Sequence, residues 1–122
     1  MKIKILKQSF SVCKVSDYSM TDINREFMFT GRTDEEISLV CPTEYTPENT
    51  TDRDDGWRAI RIEGTLDFSL IGILAKISAI LADNNIGIFV VSTYNTDYVL
   101  TKKENFDKAV KLLDKNGYEI VE

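Results

Sequence analysis

Apolar and polar residues alternate along Trp57-Arg58-Ala59-Ile60-Arg61-Ile62-Glu63, and then the spacing changes: Leu70, Ile73, Leu74, Ile77, Ile80 and Leu81 recur at helical intervals. A period of two puts alternate side chains on one face of a strand, whereas a period near 3.6 gathers them into one stripe of a helix. The spacing therefore predicts a strand over 57–63, a polar turn, and a helix over 70–84. Residues 86–94 are continuously apolar or β-branched and read as a second strand. A short strand at 97–101, an amphipathic helix over 106–116 and a strand at 118–121 complete a β-α-β-β-α-β order. A right-handed crossover through the first helix should return strand 86–94 beside strand 57–63 with one strand's gap or none.

The preceding half is strand-rich and helix-poor. Lys2-Ile3-Lys4-Ile5-Leu6 alternates, and Phe10-Ser11-Val12-Cys13-Lys14-Val15 repeats the pattern. After a turn-like stretch at 16–21, residues 22–26 can make about one helical turn capped by Thr21 or Asp22. Phe27-Met28-Phe29-Thr30 and Ile37-Ser38-Leu39-Val40-Cys41 read as strands flanking a turn at Thr33-Asp34-Glu35, the second halted by Pro42. Residues 47–56 contain no apolar side chain, so they are expected to be a linker between an N-terminal unit, 1–46, and a C-terminal unit, 57–122. Laid together without gaps from Phe27 and from Ile88, the two halves resemble each other: Phe27-Met28-Phe29 meets Ile88-Phe89-Val90, and Ile37-Ser38-Leu39 meets Tyr98-Val99-Leu100. A degenerate internal repeat follows, with a first copy that is three-stranded and lacks the long helix. Such a copy cannot cover its own sheet and is expected to pack on the second.

Composition narrows the functions. The chain has 122 residues, 43% of them hydrophobic, enough for a folded core. Its 15 basic against 20 acidic residues give a net charge of -5, and the basic ones are interspersed with acids. No nucleic-acid partner is expected. Histidine is absent, which removes Ser-His-Asp and Cys-His nucleophile systems and every His-containing zinc site. With no phosphate-binding glycine loop either, the chain is not expected to be an enzyme, nor to hold a cofactor or metal. Cys13 and Cys41 lie in apolar runs and read as buried thiols, with a disulfide left open. No secretory signal or membrane-length apolar run is present, so a cytoplasmic protein with no membrane partner is expected.

The candidate site is the turn between strand and helix, Asp67-Phe68-Ser69-Leu70-Ile71-Gly72. A free amino acid brings a carboxylate that needs donors and an ammonium that needs acceptors. A helix N-terminus offers unpaired N–H groups to the carboxylate. Gly72 would let a ligand approach the backbone, and Asp67 and Asp97 are acceptors for an ammonium or a cationic side chain. The same residues also fit purely structural roles: Asp67 and Ser69 at a helix start, Asp97 in a hairpin turn, Thr93 and Tyr94 as strand positions.

Several stretches carry a resemblance to a known family: Gly56-Trp57-Arg58-Ala59-Ile60-Arg61-Ile62-Glu63-Gly64, Leu66-Asp67-Phe68-Ser69-Leu70, Gly72-Ile73-Leu74-Ala75, and Val91-Ser92-Thr93-Tyr94-Asn95-Thr96-Asp97-Tyr98-Val99-Leu100, with Leu39-Val40-Cys41-Pro42 in the first half. The chain resembles the small tandem ACT-domain proteins, related to the ACT repeats of the cytosolic arginine sensor. The resemblance implies an α+β, ferredoxin-like βαββαβ fold, with two ACT-like units in tandem. It also implies an amino acid bound at the first strand-to-helix turn near an interface between units, with the strand end at Ser92, Thr93 and Tyr94 brought to that turn. Many ACT domains carry Asp, any residue, Pro, Gly there, whereas this chain has no proline and reaches glycine only at Gly72. The expected function is that of an amino-acid-binding regulatory or sensor module. A dimerisation or interaction domain that binds no ligand is the alternative. The expected partners are a free amino acid, a second copy in a homodimer, because 86–91 is apolar on both faces, and an unidentified regulated protein.

Overall fold

Ile77 and Leu81 are fully buried one turn apart on the first helix, and Ile60, Ile62 and Val99 rise to meet them from the sheet. That contact is the one the two periods predict. The computed structural model describes residues 1–63 and 72–122. Its elements run β1 (Lys2–Val15), β2 (Phe29–Arg32), β3 (Ile37–Pro42), a 3-10 turn (Thr43–Tyr45), β4 (Thr50–Ile62), α1 (Ile73–Asp83), β5 (Phe89–Ser92), β6 (Asp97–Lys102), α2 (Lys103–Lys115) and β7 (Glu119–Val121). The chain divides into two units: Met1–Lys7 with Arg58–Glu122, here the helical unit, and Gln8–Trp57, the strand unit.

In the helical unit the strand order is β7-β1-β4-β6-β5. Strand β5 lies one strand away from β4, as the crossover requires, and pairs antiparallel with β6 from Phe89 opposite Leu100 to Ser92 opposite Asp97. One strand was not foreseen in this unit. Residues 2–7 of β1 sit between β4 and β7, pairing parallel with β7 from Lys2 opposite Glu119 to Lys4 opposite Val121. Their alternation explains the place, because Ile3 and Ile5 join Ile60 and Ile62 in the core that α1 and α2 cover. From α2 come Phe106, Ala109 and Leu113, spaced three and four apart on one stripe.

Both helices end by the same device. The Ile86 N–H returns to the Leu81 carbonyl and the Asn85 N–H to that of Ala82, and the Tyr118 and Gly117 N–H groups repeat the pattern on Leu113 and Asp114. This closure needs a left-handed residue just past the helix, filled by Asn85 (φ 60°) and Gly117 (φ 93°). Asn and Gly are the residues for which that conformation is least costly.

The strand unit has order β2-β3-β1-β4. One buried cluster in it is Cys13, Val15, Leu39 and Cys41, with Tyr18, Met28 and Ile37 against it, and Phe10 and Val40 are buried as well. Both thiols are free and buried. Cys13 stands opposite Leu39 and Cys41 opposite Ser11, so the two share a face as diagonal neighbours. The hydrogen bond with Cys41, followed by burial, pushes the Cys13 thiol up, far from ionisation at neutral pH.

Three expectations give way here. Residues 47–56 are not wholly linker: from Thr50 onward they are strand, the Thr51 hydroxyl donates to the Lys14 carbonyl, and the Ser16 N–H donates to that of Asn49. Backbone pairing does not need apolar side chains, and charged residues suit an outer strand. The unit so completed has four strand segments, not three. The runs 2–6 and 10–15 form one strand, β1. Residues 22–26 form turns, not helix, and the chain leaves them through Phe27 at φ 61°.

The β2–β3 and β5–β6 hairpins match each other, in a register other than the gapless one. Arg32 faces Ile37 across a turn of Thr33 to Glu36, as Ser92 faces Asp97 across a turn of Thr93 to Thr96. The Thr33 N–H donates to the Glu36 carbonyl at 2.9 Å and the Thr93 N–H to the Thr96 carbonyl at 2.9 Å. Phe29 therefore corresponds to Phe89, one residue off the gapless alignment from Phe27 and Ile88. Since a strand alternates faces, that one-residue slip would exchange buried for exposed positions throughout.

Candidate functional site

At one end of the helical unit's sheet, β4 finishes at Ile62 and the β5–β6 hairpin turns at 93–96. Thr96, almost fully buried, joins them: its hydroxyl donates to the Ile62 carbonyl at 2.6 Å. The turn that bears Ser92, Thr93 and Asp97 is thus fixed to the point where the chain leaves β4 for α1. Within the turn, the Ser92 hydroxyl donates to Asp97 Oδ1 and the Thr93 hydroxyl to the Thr96 carbonyl. Tyr94 is fully exposed at the tip.

The opposite face of β4 adds charge. Arg61 donates through Nε and Nη2 to Glu63 Oε1, at 3.3 and 3.0 Å, and its guanidinium lies 5.9 Å from the centre of the Tyr98 ring. Burial alone would lower the Arg61 pKa, but hydrogen bonds and charge from Tyr98 and Glu63 outweigh it and hold the group above its ordinary value. Arg61, Glu63, Thr96 and Tyr98 were not singled out from sequence. A signal existed for two of them: in a period-two strand, Arg61 and Glu63 must share the face that Ile60 and Ile62 do not. Nothing in the sequence separates Thr96 from any other turn threonine.

Of the predicted positions, Ser92, Thr93 and Asp97 come together at the turn. Asp67, Phe68, Ser69, Leu70 and Ile71 lie outside the described residues. Gly72 stands at the start of α1. It does not sit within the helix but caps it at φ 91°, ψ 4°, with no side-chain cap bond, and its carbonyl accepts the first helical bond from the Lys76 N–H at 2.9 Å. A Cβ built there would meet nothing within 4 Å among the described residues. The left-handed φ by itself calls for glycine. Gly72, having no side chain, gives the first N–H groups of α1 no side-chain acceptor.

Chemically, this sheet end offers the carboxylates of Asp97 and Glu63, the hydroxyls of Ser92, Thr93 and Thr96, and a guanidinium already engaged by Glu63. Such a set is suited to orienting small polar groups by hydrogen bonds. Among the described residues no group of three or more acidic or thiol side chains could hold a metal ion, and no helix is long and apolar enough to cross a membrane.

The ACT domain model matches residues 52–115, and the chain belongs to the ACT-domain family. No curated protein matches it. Among solved structures, the protein Atu0741 from Agobacterium tumefaciens is 31% identical, with a TM-score of 0.86 over 98% of this chain and 91% of that one. The Vibrio cholerae protein VC0802, described as a possible transport protein, is 23% identical, with a TM-score of 0.70 over 93% and 88% of the two chains. The regulatory subunit of aspartate kinase from Thermus thermophilus, in its ligand-free form, is 9% identical, with a TM-score of 0.66 over 94% and 96%. The last two likenesses establish a shared fold.

Proposed function

We propose that this chain is an amino-acid-binding regulatory module, not an enzyme, built from two ACT-like units in tandem of which the strand unit is the degenerate, helix-poor copy. The ligand lies between the 67–72 turn and the hairpin end at Ser92, Thr93, Tyr94 and Asp97. The observation that carries this reading is the Thr96 bond to Ile62, because it fixes the hairpin's polar groups beside the exit of β4. The ligand's carboxylate takes the uncapped N–H groups at the start of α1, and its ammonium takes Asp67 and Asp97. The matched family and the fold shared with a regulatory subunit of aspartate kinase support regulation over catalysis. The module acts as a homodimer: β5 is the last strand of its sheet, and Phe89 and Val91 are only partly buried on the face away from Ile88 and Val90.

One experiment tests the reading. The protein and its Asp67→Ala variant are titrated calorimetrically with each of the twenty amino acids, with light scattering on the same samples. Binding of one amino acid to the parent dimer is expected, and it should weaken by about 2–5 kcal/mol in the variant, as when an acceptor is removed from a desolvated ammonium. Folding should lose only about 0.3–1 kcal/mol, the value of a carboxylate at a helix start. Unchanged affinity in a folded variant would refute the site, and a monomer at all concentrations would refute the assembly.

A further inference from the structure

Cys13 and Cys41, the buried thiols of the strand unit, take no part in the proposed function, and packing alone does not account for what surrounds them. On adjoining antiparallel strands Cys13 stands opposite Leu39 and Cys41 opposite Ser11. Both sulfurs therefore lie on one face as diagonal neighbours, within a single buried cluster. Beside Cys41 that face is polar. The Cys41 Sγ is 4.0 Å from the Thr46 hydroxyl. Ser11, directly across from Cys41, hydrogen-bonds the Thr43 hydroxyl and donates to Asp55 Oδ1, which Arg53 also engages through Nε. A thiol that only fills an apolar core has no such neighbours.

These surroundings make the two thiols inequivalent. The Cys13 thiol donates to Cys41 and lowers its pKa, and the Thr46 hydroxyl and the Arg53 charge act in the same direction, against burial and the Asp55 charge. Cys41 is thus the first of the pair to become a thiolate, the form that attacks. Cys13 keeps its proton.

We propose that Cys13 and Cys41 form a peroxide-sensitive dithiol, in which Cys41 attacks and the pair closes to a reversible disulfide between β1 and β3. The Cys41 thiolate attacks one oxygen of hydrogen peroxide, the O–O bond breaks, and the hydroxide that leaves takes up the proton Cys41 had lost. Cys41 is then a sulfenic acid. The Cys13 sulfur attacks it, the S–O bond breaks, and the second hydroxide leaves as water with the Cys13 proton. The two sulfurs together give up two electrons, and peroxide accepts them. Access comes by way of β2, the last strand of this sheet, four residues long and exposed at Thr30, Gly31 and Arg32. No helix residue belongs to the cluster, and edges with so few buried contacts open locally without global unfolding. Diagonal neighbours stand farther apart than the ideal for a disulfide, which makes the bond strained and easily reduced.

Intact-mass spectrometry of the whole native protein after exposure to hydrogen peroxide tests the assignment. The parent should lose two hydrogen atoms, peptide mapping should join Cys13 to Cys41 within one chain, and dithiothreitol should restore the original mass. With dimedone present to trap sulfenic acid, Cys13→Ala should be labelled at Cys41 about tenfold or more faster than Cys41→Ala is labelled at Cys13. The parent's mass and peptide map need no substitution, so they decide the matter even if a variant fails to fold. No loss of two hydrogens, a disulfide joining two chains, or closure only at urea concentrations that unfold the protein would overturn the proposal. Equal labelling of the two folded variants would overturn it as well.

Discussion

The β2–β3 and β5–β6 hairpins share register, turn length and the hydrogen bond that closes the turn, yet they stand on different support. Both helices contribute buried side chains to the cluster of the helical unit, whereas the Cys13, Val15, Leu39 and Cys41 cluster of the strand unit contains no helix residue. At the matching turn position one hairpin has Thr96, buried and bonded to the end of β4; the other has Glu36, exposed. A common backbone motif has thus been clamped to its neighbour in one unit and left open to solvent in the other. Hairpin geometry alone does not make a site. The clamp holds the hairpin's polar groups at the end of β4.

The largest test of this contrast is in the cores. Ile77→Ala should destabilise by about 2–5 kcal/mol, since a cavity forms beneath a helix that cannot collapse fully onto the sheet. Leu39→Ala, in the smaller core, should fall near the lower end, about 2 kcal/mol, because thinner cover relaxes more easily. Urea unfolding followed by intrinsic fluorescence checks both. Equal losses would mean that the two cores are equally well packed, and the contrast in support would be lost.

Next is the clamp. Thr96→Val keeps the shape and deletes the hydroxyl, which should cost about 0.5–1.5 kcal/mol of stability, the net value of one hydrogen bond. It should also raise hydrogen exchange at residues 92–97, with no change at 32–37. Identical exchange in both hairpins of the variant and parent would show that the Thr96 bond does not hold the turn.

The smallest effect depends on pH. Asp17, at the exit of β1, accepts from the Ser19 hydroxyl, the Ser19 N–H and the Asn49 side-chain amide. Chiefly through the Ser19 hydroxyl, its carboxyl is held below its ordinary value of 3.8. A depressed folded pKa gives stability that is present above the unfolded value and lost as pH falls through the folded one. Parent and Asp17→Asn should therefore differ slightly in urea midpoint at neutral pH and converge in acid. A gap that widened in acid would reverse the assignment.

Sequence by itself determined what local periodicity controls. The helix over Ile77 and Leu81, the α2 stripe of Phe106, Ala109 and Leu113, the apolar 86–91 run, and the helix ends near 84 and 116 are all visible there, because backbone preference and one-sided burial act within a few residues. The hairpin repeat was visible too, but only to within one residue, since strand pairing and not composition sets the register. Tertiary structure decided the rest. Residues 50–56 carry no apolar signal and become strand because the exposed edge of β1 offers them hydrogen bonds. Residues 2–7 join the helical unit because Ile3 and Ile5 fill a core whose other members lie more than fifty residues away. Thr96 and Arg61 acquire meaning only from what stands opposite them, and Gly72 from the left-handed turn it must make, contacts and angles that no local pattern encodes.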